Sequence, residues 1–199
     1  GPTHEPVEQE AQIRLMEILL NHSGRPSVMV LRPADAEETT AAWKMAMENI
    51  YTPTALILSR QDVTSVPNTS AEGVKKGAYI VSKDENPQVV MLASGSEVST
   101  LMAGAELLRA EGIRLQIVSV PSEAIFRQQS KEYQAEVLPQ GVLRFGLTAG
   151  LPCNLEGLVG EHGTIWGFNS FGFSAPYKVL DEKLGFTAQN VYDQVKKLL

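Results

Sequence analysis

Apolar side chains recur at Ala11, Leu15, Ile18 and Leu19, a spacing of three and four that predicts a helix over residues 7–20. The run Asn21-His22-Ser23-Gly24-Arg25-Pro26 stops it and turns the chain. Residues 27–31 read as a short strand ending at Arg32-Pro33. Asp35 followed three residues later by Glu38 resembles a capping box with Asp in the Ser/Thr position, and opens a helix to about Glu48. Residues 54–58 (TALIL) form a buried-type strand closed by Ser59-Arg60-Gln61. The stretch 1–62 is thus β/α in texture, but two strands are too few to complete a sheet. Residues 63–76 are polar, carry Pro, Ser and Thr, and read as a linker.

From Gly77 onward the pattern is that of a complete α/β domain, 77–199, with a mostly parallel sheet in three layers. Residues 78–82 suit an edge strand and 89–93 a fully buried one. After Ser94-Gly95-Ser96, the residues Val98, Leu101, Met102, Ala105 and Leu108 line one face of a helix that Gly112 stops. Residues 113–120 form the next strand, giving a βαβ unit and hence a parallel pair with a right-handed crossover. Pro121-Ser122 opens a short helix to about Arg127, and residues 142–147 and 163–167 read as two more strands. Ser174 and Thr187 are N-cap candidates for closing helices over 175–184 and 188–199.

The chain has 199 residues, 43% hydrophobic and 20% charged, enough for a core without disulfides or metal. A net charge of −6 argues against nucleic acid and against anionic membrane surfaces. No apolar run reaches the roughly 18–20 residues of a membrane span, and the polar, acidic opening is not a signal peptide. A single cysteine excludes an internal disulfide framework and a multi-cysteine zinc site. These features predict a soluble, cytoplasmic protein.

Three histidines, His4, His22 and His162, are too scattered for a metal triad. Gly95-Ser96 could present backbone N–H groups to an anion, although a tight strand–helix turn needing Gly is the favoured account. Cys153 has no basic partner in sequence and reads as an idle thiol. His4, at the turn Gly1-Pro2-Thr3-His4, could donate to a substrate hydroxyl, or be merely solvated. Arg60 and Arg32 close strands, where ligands collect in open α/β sheets, and each suits phosphate, carboxylate or a surface ion pair. Trp166, Phe168, Phe171 and Phe173 lack basic company and read as packing against the closing helices.

Several phrases occur in a fixed order: GPTHEPVEQ, LRPADAEET with Trp43, PTALILSRQ, SGSEVS, VPS, VLP, and FGFSAP followed by LGFTAQNV. Together they resemble the C-terminal part of the transketolase family over essentially all 199 residues. The resemblance implies a parent enzyme that uses thiamine diphosphate and Mg2+ or another divalent cation. That enzyme moves a two-carbon ketol unit between sugar phosphates in the pentose phosphate pathway, as a homodimer. It implies that residues 1–62 are the tail of a pyrimidine-binding domain and 77–199 the C-terminal domain, which takes no direct part in the chemistry. His4 resembles the histidine that hydrogen-bonds substrate hydroxyls, and Arg60 one of the residues gripping the sugar phosphate. The family's metal motif, activating glutamate and cofactor pocket are not among these residues. The expectation is therefore a fragment that binds neither cofactor nor metal and is inactive alone. The alternative is a non-catalytic assembly or regulatory module. The motif RFGLTAG carries Thr148 where the family has an acidic residue.

Overall fold

The computed structural model describes residues 4–199, and the turn expected at residues 1–3 lies outside them. Among the described residues the main sheet has five strands: β3 (Tyr79–Lys83), β4 (Val89–Ala93), β5 (Leu115–Ser119), β6 (Leu143–Leu147) and β7 (Thr164–Trp166). Their order is β3-β5-β4-β6-β7, with β3 antiparallel to β5 and all other pairs parallel. All five side chains of β4 are buried, because helices cover both faces of the sheet. Alternation divides them. Val89, Met91 and Ala93 join one core cluster, while Val90 and Leu92 join the other.

On the first face lies α4 (Glu97–Ala110), the crossover between β4 and β5, with α9 (Ala188–Leu198) packed on it. Gly104 permits the approach, since a Cβ there would stand 2.5 Å from a Val191 methyl. Thr187 caps α9 by accepting from the Asn190 N–H. On the opposite face sit α5 (Glu123–Arg127), α6 (Lys131–Val137) and α7 (Cys153–Val159), contributing Phe126, Val137, Leu155, Leu158 and Val159. The closing helix α8 (Tyr177–Leu184) starts after Pro176, with no side-chain cap from Ser174.

The N-terminal segment holds α1 (Gln9–Leu15) and a βαβ unit: β1 (Met29–Leu31), α2 (Ala36–Glu48) and β2 (Thr54–Leu56), the two strands parallel. The helix is shorter than its periodicity predicts. Residues 16–18 close as three-residue turns, and the chain returns through a Leu20–Pro26 bridge. The turn brings the Glu17 carboxylate inward to accept from the Val30 N–H at 2.9 Å. Ile18, Leu19 and Leu20 consequently face outward, as do Trp43, Met47, Ile50 and Tyr51 on and after α2.

Residues 63–76 are more ordered than a linker. They contain α3 (Ala71–Lys76), capped by Ser70 and ended by Gly77 in the left-handed conformation. Val66 and Val74 are buried in the same cluster as Leu31, Ala42 and Met91, so one core runs through both parts of the chain. The Asp35 carboxylate caps α2 at Glu38 and also accepts from the Val66 N–H and the Thr69 hydroxyl. Glu38 reaches back to the Ala34 N–H at 2.7 Å rather than to its cap residue. Its other oxygen accepts from the Tyr79 and Ser119 hydroxyls, each at 2.6 Å.

Glu38 is therefore a buried acceptor for three donors from both parts of the chain. Its replacement by Ala strands all three, and is expected to cost on the order of 3–5 kcal/mol in urea unfolding. Burial lifts its carboxyl above the ordinary value, against the hydrogen bonds from Ser119, Tyr79 and Ala34 that favour the charged form. The folded chain thus holds this proton to higher pH than the unfolded chain does. This contribution to stability falls as pH climbs from the ordinary carboxyl value through the raised one. Glu38→Gln should remove that contribution, so the stability difference between the parent and Glu38→Gln should shift against the parent as pH rises above the ordinary carboxyl value.

Candidate functional site

A cleft of about 500 Å³ opens between the N-terminal segment and the main-sheet domain. It lies beyond the carboxyl ends of β2 and β4, where open α/β sheets collect ligands. Leu58, Ser59 and Arg60 follow β2, and Ser96, Glu97 and Thr100 stand at the start of α4. The far wall is Phe168, Phe173, Tyr177 and Asp181. Arg60 is exposed, and no carboxylate among the described residues pairs with it. His4 is exposed and adjoins the cleft through its neighbour Glu5, which lines it.

Arg32 differs from Arg60 although both follow strands. Its side chain is only 11% exposed. Nη1 donates to the Glu97 carboxylate and the Ser94 carbonyl, each at 2.5 Å, and to the Ser94 hydroxyl at 3.1 Å. Nε lies 3.5 Å from the Glu10 carboxylate of α1. Burial works against the charge, but Glu97 and Glu10 more than offset it and hold the guanidinium protonated. Gly95 makes room for this group: its φ is +65°, and a Cβ there would stand 2.6 Å from Arg32 Cζ. The Ser94-Gly95-Ser96 turn is built around a guanidinium, and Glu97 already places negative charge at the N-terminus of α4. Across the cleft the Asp181 carboxyl is raised, by burial and by the charge of Glu97.

The remaining sequence candidates fall elsewhere. Cys153 is exposed, and partial burial together with Glu156 pushes its thiol up, away from the reactive thiolate. Thr148 is buried and accepts from the Gly150 N–H. Trp166 donates to the Leu184 carbonyl and Phe168 stacks on Phe186 at 5.2 Å, as packing against the closing helices requires. Phe171 and Phe173 do not follow them and are each 51% exposed. Tyr177, Asp181 and the Arg32–Glu97–Glu10 group were not singled out as a site by sequence. The signal available was an acidic residue opening the helix after Ser-Gly-Ser, and it has meaning only beside an arginine 65 residues away. Among the described residues no three His, Cys, Asp or Glu side chains come together to hold a metal ion, so these residues do not supply a donor set for one. None of the described helices is long and apolar enough to cross a membrane.

The fold is that of a mostly parallel α/β domain joined to part of a second one. Residues 77–187 match the model of the transketolase-like C-terminal domain, and residues 1–65 that of the transketolase pyrimidine-binding domain. The chain belongs to the transketolase family. It is 44% identical over 205 aligned positions to a transketolase of Geobacillus stearothermophilus, covering all of this chain and 29% of that protein. The structure of the Leishmania mexicana transketolase superimposes with a TM-score of 0.89 at 38% identity, over 100% of this chain and 28% of that one. A Pichia stipitis transketolase described as a complex with sedoheptulose-7-phosphate gives 0.87 at 32% identity, with the same coverage. The chain thus spans under a third of the length of the relatives it matches.

Removing Arg32 leaves Glu97 buried without its cation, while Glu10 keeps Arg14 at 2.9 Å. Arg32→Met is expected to lower stability by about 3–5 kcal/mol, read from urea midpoints. Arg32→Lys should recover only part of this, because one ammonium cannot reproduce the fork of contacts.

Proposed function

We propose that this chain is the C-terminal portion of a transketolase that passes a two-carbon ketol unit from a ketose phosphate to an aldose acceptor. The observation that carries the reading is Arg60, exposed in the cleft just past β2 and with no carboxylate partner among the described residues, with His4 adjoining the cleft through Glu5. An unpaired guanidinium suits a phosphate bidentately, and the sugar phosphate in the Pichia relative is of that class. In this reading Arg60 grips the phosphate and His4 donates to hydroxyls beside the reacting carbon. Residues 1–62 are the tail of the pyrimidine-binding domain, 63–76 the connection and 77–199 the C-terminal domain. Thiamine diphosphate and a divalent cation supply the carbanion chemistry in the complete enzyme. In this reading the 199-residue chain, without the rest of the enzyme, does not transfer ketol units. The complete enzyme is a cytoplasmic homodimer of the pentose phosphate pathway.

The test is a fusion that places this chain behind the part of the Geobacillus stearothermophilus transketolase preceding its aligned region. The fusion should transfer ketol units from xylulose 5-phosphate, and the 199-residue chain should not. Turnover by the chain alone at a comparable rate contradicts the reading, as does a folded fusion without activity. Within the fusion, Arg60→Ala should raise KM for a phosphorylated donor by about 10–100-fold and for an unphosphorylated ketose by less than about threefold.

A further inference from the structure

We propose that Gly172 is a positioning residue for His4: the 167–173 loop holds the backbone beside that histidine in place. This rests on the role given to His4 above and extends it to the domain expected to stand apart from the chemistry. The Gly172 N–H donates to the Glu5 carbonyl at 2.8 Å, one residue from His4. Gly172 is buried, and a Cβ there would lie 3.2 Å from Glu5 Cβ and 3.3 Å from Glu5 O. Its φ is not among the positive ones, so the glycine answers a close approach and not a backbone twist.

The loop is itself pinned. Phe168 N–H donates to the Gly150 carbonyl at 2.9 Å, and the Phe168 ring stacks on Phe186. The segment it holds is fixed a second time at Glu10, through Arg32 to Glu97 on α4. A Cβ on Gly150 would also come within 3.3 Å of the Val7 carbonyl, so the stretch between these two points lies close against the 148–150 turn. Residues 5–10 are therefore braced at both ends by groups distant in sequence. The imidazole at position 4 starts from a peptide whose neighbour is hydrogen-bonded to the main-sheet domain. Proton donation to a substrate hydroxyl depends on reach of a few tenths of an ångström, and misplacement near 1 Å costs rate steeply.

The fusion described above provides the test, as a double-mutant cycle between Gly172→Ala and His4→Ala. The expected result is a fall of about tenfold in kcat/KM for the ketose donor with Gly172→Ala. Half-saturation by thiamine diphosphate should stay within about twofold, and in the His4→Ala background the same substitution should change kcat/KM less than about twofold. A loss that persists in full without His4, or no loss at all, overturns the proposal. Should Gly172→Ala fail to fold, Phe168→Leu, which loosens the root of the loop without touching Glu5, is read in the same cycle against the same criteria. An inactive unsubstituted fusion counts against the proposed function. The clamp is then decided in the 199-residue chain by NMR. Gly172→Ala must shift the His4 ring proton resonances while Gly24→Ala, where no atom lies within 4 Å, leaves them in place. Resonances that do not move overturn it.

Discussion

A guanidinium withdrawn from water sits where three parts of this chain meet, and their arrangement depends on it. Arg32 follows a strand of the two-stranded sheet, its partner Glu97 opens the crossover helix of the five-stranded one, and Glu10 lies on the first helix. Such a group is tolerated inside a protein only when its charge and its hydrogen bonds are matched. The match fixes the relative placement of all three parts. A two-stranded parallel unit has little stability of its own. Here it borrows the core of its neighbour, with Glu38 repeating the arrangement in opposite sign, a carboxylate accepting from Tyr79 and Ser119 of the main sheet.

The cleft is a consequence of that joint. The two sheets leave a gap beyond the carboxyl ends of β2 and β4, and residues that follow those strands line it. Arg32 directly follows β1 and Arg60 lies a few residues past the end of β2, yet one is consumed by structure and the other is left to solvent. The difference lies in what faces them. Beside Arg32 is the Ser94-Gly95-Ser96 turn, with the room a glycine leaves; beside Arg60 there is only the open cleft. Solvent therefore reaches the second guanidinium and barely reaches the first.

Much of the fold was legible in the chain. The continuous apolar run of β4, the face of α4 from Val98 to Leu108 and the strand after Gly112 carry patterns that burial on both faces or on one face imposes. The Asp35 and Thr187 caps were legible because they act within three residues. What escaped depends on distant partners or short elements. The end of α1 is set by Glu17 turning toward Val30, which no local periodicity records. α6 and α7 have seven residues each, too few for a helical stripe to stand out, although Leu155, Leu158 and Val159 are correctly spaced. At the cleft, the motifs single out His4 and Arg60, and both lie at or beside its rim. The identity of Arg32 as a structural group was not, because an arginine after a strand looks the same whether its anion comes from the protein or from outside.

The capping of Val30 by Glu17 has a further meaning for the βαβ unit. β1 spends its Met29 N–H and Leu31 carbonyl on β2, while Val30 N–H, pointing the other way, is taken by Glu17 and Arg32 N–H by the Pro121 carbonyl. That flank is sealed with a carboxylate and a loop, and no strand can be added there. Among the described residues β2 has no such seal, and the unsealed N–H groups of the small sheet stand on its side, alongside residues 54–56.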